Sequence, residues 1–160
     1  MKKFNKEVFM KLFIGFAIPM VMALIYDIVM KKFEYSDIMG IVLAVVFLIV
    51  WYKYAGYVAK SSIDYKLSLF TLHGPIIIGS ILTAVMVIIY PDVPAFLEMI
   101  AFYTNLYTLA LQSITSPIIL FLTYFFEADV YGLYLNLGCI LALISMMGIY
   151  TIGYDKYRED

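Results

Sequence analysis

The sequence predicts an all-α protein, a polytopic transmembrane helix bundle, and three observations lead there. Hydrophobic residues make up 64% of the 160-residue chain, with a mean hydropathy of +0.94, far above the roughly 45 to 50% apolar usage of soluble domains. The apolar residues fall in uncharged runs long enough, at about 1.5 Å per helical residue, to cross a bilayer core of about 30 Å. The joints between the runs are short and, together with the two ends of the chain, hold most of the charges. Five spans are expected, over residues 12–30, 38–58, 67–90, 95–126 and 130–153, in a single integral membrane domain covering 1–160.

Composition also narrows the function classes. A net charge of -1 with 14% charged residues provides no basic field, so nucleic acid is not an expected partner; the lipid bilayer is. The single cysteine, Cys139, can form neither an intramolecular disulfide nor a thiolate metal cage. Abundant Lys, Ile, Tyr and Phe suit an AT-rich microbial genome, and a microbial cytoplasmic membrane is the expected location.

The amino-terminal run has the outline of a signal peptide, with lysines first and Val21 and Ala23 at cleavage-like spacing. Residues Leu12 to Tyr26 are read instead as the core of a first membrane helix closed by Asp27. Gly15, Pro19 and Ala23 repeat every four residues and form a face that permits close helix packing. In the second span, Ser36 or Asp37 is placed to cap the helix, and Trp51, Tyr52, Tyr54 and Tyr57 read as an interfacial belt. Lys53 can extend along its apolar stem to the headgroups.

The third span carries the only histidine, His73, with Ser80 seven residues on and near the same face. An ionisable residue inside a span is a candidate switch, although hydrogen bonding to the backbone is the commoner role. A haem would need a second axial ligand that no spacing selects, so no cofactor is expected.

The fourth run, uncharged from Met99 to Phe126, contains the most regular pattern in the chain. On a helix, Glu98, Asn105, Gln112, Ser116, Thr123 and Glu127 fall within a sector of roughly 60°. One continuous helix would put the two glutamates at opposite interfaces and make the residues between them a polar seam or path. That seam is expected to meet water, or to bond to Ser80, Asn136 or Ser145 in a dry bundle. In the fifth span Gly138, Ala142 and Ser145 form a second small-residue packing face.

Orientation pulls two ways. Five spans with the amino end in the cytoplasm place Lys2, Lys3, Lys6, Lys11, Lys53, Lys60 and Lys66 inside, against Lys31, Lys32, Lys156 and Arg158 outside. A re-entrant fourth segment turning near Ser113 to Pro117 would leave four spans and move Lys156 and Arg158 inside, which the positive-inside rule prefers. The shared register of Gln112, Ser116 and Thr123 favours the continuous helix, so five spans are the expectation.

No HExxH, Walker or GxSxG motif and no cysteine pair with metal spacing is present in the sequence. His73 and Ser80, two helical turns apart, are too distant for direct proton transfer at about 10 Å. A non-enzymatic membrane subunit that assembles with copies of itself or with a membrane partner is the leading expectation. A small channel or transporter subunit is the alternative, and a holin-like or immunity-type effector a third reading.

Overall fold

Residues 6–34, 36–61, 63–89, 95–111, 114–115 and 131–159 are described by the computed structural model. The first, second, third and fifth apolar runs form long helices: α1 Lys6–Lys32, α2 Asp37–Lys60, α3 Tyr65–Ile89 and α5 Tyr131–Glu159. The fourth forms a shorter helix, α4 Ala95–Thr108, closed by a 3-10 turn at Leu109–Leu111. The all-helical bundle class therefore holds. Among the described residues four helices are long and apolar enough to cross a membrane, the stretches being Lys6–Lys32, Asp37–Lys60, Tyr65–Leu82 and Leu137–Arg158. Their outward faces carry large apolar side chains such as Leu24, Ile28, Ile38 and Phe70, which suit lipid and would be costly in water.

Local chemistry sets the joints. Ser36 takes the N-cap position of α2 as expected, but only its backbone carbonyl is used, accepting from the Gly40 N–H at 3.0 Å. Asp64 caps α3 with its side chain, accepting the Leu67 N–H at 3.0 Å. Glu34, at φ 52°, takes the left-handed conformation that often follows a helix end.

The core is built on α2 and α5. Along α2, Phe47, Trp51, Tyr54 and Val58 recur at helical spacing and are buried. The Trp51 indole N–H donates to the Met146 carbonyl at 3.1 Å. Further along both helices, Gly56 lies against the Tyr157 ring and Gly153 against the Tyr52 backbone. Residue numbers rise together across this contact, so α2 and α5 run parallel. In contrast, α1 lies antiparallel to α2, since the Tyr54 hydroxyl donates to the Lys11 carbonyl and Lys11 covers the Tyr57 ring.

These contacts correct the five-span expectation. The carboxyl-terminal turns of α5 sit with the end of α2 and the start of α3: Lys53 Nζ donates to Tyr157 Oη at 3.2 Å, and Tyr154 donates to the Ile63 carbonyl. The start of α1, the end of α2, the start of α3 and the end of α5 thus share one face, called the near face below. Lys6, Lys11, Lys53, Lys60, Lys66, Lys156 and Arg158 all lie at these near-face ends, whereas Lys31 and Lys32 close α1 at the opposite, far face. Because α5 runs parallel to α2, its first residue, Tyr131, is level with Asp37 at the far face.

The α4 helix starts at that far face too. It runs antiparallel to α3, with Ile100 and Thr104 beside Gly79 and the Tyr107 hydroxyl donating to the Leu72 carbonyl at 3.2 Å. It ends inside the bundle, where Ala110 and Leu111 are buried and the 3-10 turn packs on α1 and α2. Ala95 and Tyr131 both lie at the far face, so this part of the sequence makes no net crossing. Among the described residues the arrangement is four helices long enough to span, with α4 entering from the far face and its 3-10 end buried between them.

A physical reason lies in the face that α4 buries. Thr104, Thr108 and Thr115 are buried, and each hydroxyl donates to the carbonyl four residues back, at 2.9, 3.0 and 3.3 Å. Such back-bonding satisfies the hydroxyls within their own segment and weakens straight helix geometry. The Tyr107 bond fastens α4 to α3. Tyr107→Phe is expected to lower stability by about 1 kcal/mol, the net worth of one hydrogen bond, read as a lower Tm in detergent with helical content unchanged at low temperature.

Candidate functional site

Two groups of polar side chains meet inside the bundle. The first surrounds His73 on α3. Its Nδ1 lies 3.2 Å from the Leu69 carbonyl, and because a carbonyl only accepts, Nδ1 carries the proton and Nε2 presents a lone pair. The ring stands nearly perpendicular to Trp51, with centroids 5.6 Å apart at 82°, and to Tyr150, at 5.7 Å and 70°. All three residues are fully buried. Trp51 and Tyr150 are themselves 6.0 Å apart, which closes a triangle of three rings drawn from α2, α3 and α5. Tyr54 stacks on Trp51 at 5.3 Å, and Tyr154 on Tyr150 at 6.3 Å, extending the aromatic column toward the near face.

Among the described residues three buried polar atoms have no hydrogen-bond partner: His73 Nε2, Ser80 Oγ and Tyr150 Oη. Each such group costs about 1 to 3 kcal/mol when it stays unmatched. The buried Ser68 hydroxyl is satisfied by its own helix, donating to the Tyr65 carbonyl at 2.9 Å.

The second group joins α4 to α5. Cys139 donates its thiol proton to Asn105 Oδ1 at 2.9 Å. The single Thr108 hydroxyl proton has three acceptors in reach, the Thr104 carbonyl at 3.0 Å and the Asn105 carbonyl and Cys139 Sγ at 3.3 Å. The group is neutral, with Thr108 and Cys139 buried and Asn105 partly so. Among the described residues no cluster of three or more His, Cys, Asp or Glu side chains is placed to hold a metal ion.

The sequence-derived seam is divided by this geometry. Asn105 is partly buried and bonded to Cys139, a partner the spacing did not suggest, whereas Glu98 is exposed near the far end of α4. Gln112, Ser116, Thr123 and Glu127 lie outside the described residues. The face that α4 buries is centred on Thr104 and Thr108, about 80° round the helix from Asn105. Of the three polar partners expected for the seam, Ser80 is buried without a partner, Ser145 is exposed and bonded to the Leu141 carbonyl at 2.9 Å, and the side chain of Asn136 lies outside the described residues.

The packing faces behave differently from the seam. Gly15, Pro19 and Ala23 are buried inside the chain, with Gly15 pressed against Tyr54 and Leu72. Gly138 and Ala142 are likewise buried, and Ser145 points outward. Trp51 and Tyr54, read from the sequence as belt residues, belong to the core; Tyr57 alone of the four aromatics is exposed, and Tyr52 is partly so. The spacing of Phe47, Trp51, Tyr54 and Val58, read as one stripe, was the signal for this. Tyr150 escaped notice because it is one of several tyrosines along the last run with nothing in the spacing to single it out, and only the parallel approach of α5 to α2 brings it to His73.

Comparison with known protein families, with curated proteins and with solved structures finds no match for this chain.

Proposed function

We propose that this chain is a non-enzymatic channel or transporter subunit in which the re-entrant α4 lines the path of a small polar solute or cation. The observation that carries this reading is the buried 3-10 end of α4 at Leu109–Leu111, reached from the far face and packed on α1 and α2. Irregular backbone at membrane depth is tolerated only where it is buried in protein or lines a wet cavity, and interrupted helices are where membrane transporters hold their solutes. The neutral group of Asn105, Thr108 and Cys139 supplies hydrogen bonds beside that end, and Glu98 stands toward the far-face mouth. Gln112, Ser116, Thr123 and Glu127 remain sequence candidates for the same path. The near face, with its seven described cations against two, is the cytoplasmic side of a microbial cytoplasmic membrane by the positive-inside rule.

Proteoliposomes test this directly. Water, glycerol, K⁺ and H⁺ gradients should reveal at least one flux above empty vesicles, and Asn105→Leu should reduce it about tenfold, the kinetic equivalent of about 1.4 kcal/mol. Flux no greater than that of empty vesicles for all four overturns the reading.

Assembly with a second copy is supported by a different feature. The small faces named for it in the sequence are used inside the chain, but Ser145 is exposed and Gly148 has nothing within 4 Å of where a Cβ would stand. A dimer built there would show as doubled protein mass in mild detergent.

A further inference from the structure

The chain contains one histidine and one tryptophan, and the fold stacks them edge to face in its core. Neither the orphaned Nε2 of His73 nor the orphaned hydroxyl of Tyr150 is explained by packing. The two are chemically complementary, since a phenol O–H donates and a bare imidazole nitrogen accepts. Once Nε2 is protonated the roles reverse, because the same phenol oxygen can accept. No charged side chain among the described residues acts on His73. The groups around it are Trp51 from α2 with Tyr54 behind it, Tyr150 from α5, and Tyr107 from α4, whose hydroxyl is spent on Leu72; α1 brings the uncharged Gly15 against Leu72 and Phe16 against Tyr107. An imidazolium there would be stabilised by the faces of Trp51 and Tyr150 through cation–π attraction.

We propose that the unpartnered Nε2 of His73 is a one-proton binding site loaded from the near face by way of the Tyr150 phenol. Tyr150 packs against the histidine ring on one side and on Tyr154, nearer that face, on the other. Tyr150 passes its phenolic proton to Nε2, and the phenol regains a proton from a hydronium on the near-face side. The phenol ends unchanged, and the imidazole has gained one positive charge. The inference rests on the transport reading in that it names a proton as the coupled ion, but its readout needs no flux.

Trp51 supplies that readout, because an imidazolium against an indole quenches its emission and no other indole is present. The protein is reconstituted in vesicles, its orientation is fixed by labelling a cysteine at Arg158, and each side is acidified in turn from about pH 8 to about pH 4. Emission should fall in a single one-proton step when the side bearing Arg158 is acidified. His73→Gln should abolish the step, and Tyr150→Phe should slow its approach to equilibrium by about tenfold or more, as loss of a positioned proton-transfer group does. Emission indifferent to pH, a step that survives His73→Gln, or a step that follows the opposite side overturns the proposal. Should His73→Gln fail to fold, the ¹⁵N shifts of the single labelled histidine in the unaltered protein report the same protonation. Quenching without solute flux rejects the transport reading alone, and flux with flat emission rejects the proton site alone.

Discussion

Gly153→Ala is expected to destabilise the protein by about 2 to 3 kcal/mol more than Gly148→Ala, although both exchanges occur in the same helix. Each should gain up to about 1 kcal/mol from replacing glycine by alanine in a helix interior. They differ in what the new methyl meets. At position 153 an ideal Cβ would lie 2.6 Å from the Tyr52 carbonyl oxygen and 3.1 Å from the Ala55 Cβ, whereas at 148 nothing lies within 4 Å. The Tyr52 oxygen is main chain, so relief requires α2 to move as a body. Moving α2 would disturb the Trp51 to Met146 hydrogen bond and the ring contacts made by Trp51 and Tyr54. Overpacking a tight contact costs about 1 to 3 kcal/mol where side chains can shift, and a backbone clash belongs at the upper end. Thermal unfolding in one detergent separates the two variants: Gly148→Ala should match or exceed the parent Tm, and Gly153→Ala should fall well below it. Equal Tm values would mean that α2 and α5 are not in the close parallel contact on which the topology depends.

That contact marks the limit of what the sequence made legible. Run length and hydropathy were sufficient for the helical class and for four long helices, because lipid accepts little else across its core. The small residues at Gly15, Pro19 and Ala23 were also legible as a packing face, but periodicity carries no information on whether the partner is the same chain or another. At Gly15 that partner is Tyr54 and Leu72 of the same chain. The seam through Asn105 can be followed only at Glu98 and Asn105, because its other four residues lie outside the described ones. A polar stripe is conspicuous against an apolar run, whereas threonines that bond to their own backbone behave as buried residues despite their hydroxyls. Thr104 and Thr108 therefore define the inward face, and Asn105 lies at its flank beside Cys139. The His73 site was half visible: an ionisable residue inside a span could be flagged, but its ring partners come from α2 and α5, and the approach of α5 depends on which way the chain re-enters.

Labelling from one side of the membrane should give an all-or-none answer on that re-entry. With the buried Cys139 replaced by alanine, single cysteines at Lys6, Glu34 and Arg158 are each exposed positions near the ends of helices. Lys6→Cys and Arg158→Cys are expected to react with an impermeant maleimide from the same side, and Glu34→Cys from the opposite one. In intact cells Glu34→Cys should label, and the other two should react only after permeabilisation, because the orientation proposed above puts the lysine-rich near face in the cytoplasm. Labelling of Lys6 and Arg158 from the outside, with Glu34 protected, would invert the orientation and leave the fold intact. Labelling of Lys6 and Arg158 from opposite sides would restore an odd number of crossings and require α5 to run antiparallel to α2. That reversal would carry Tyr157 away from Lys53 and Lys60, and Tyr154 away from the Ile63 carbonyl. It would also exchange the ends of α5 relative to His73, so the depth at which Tyr150 meets the histidine would depend on a different register. The side on which Arg158 reacts thus decides together the number of spans, the re-entrant course of α4 and the face from which a proton reaches His73.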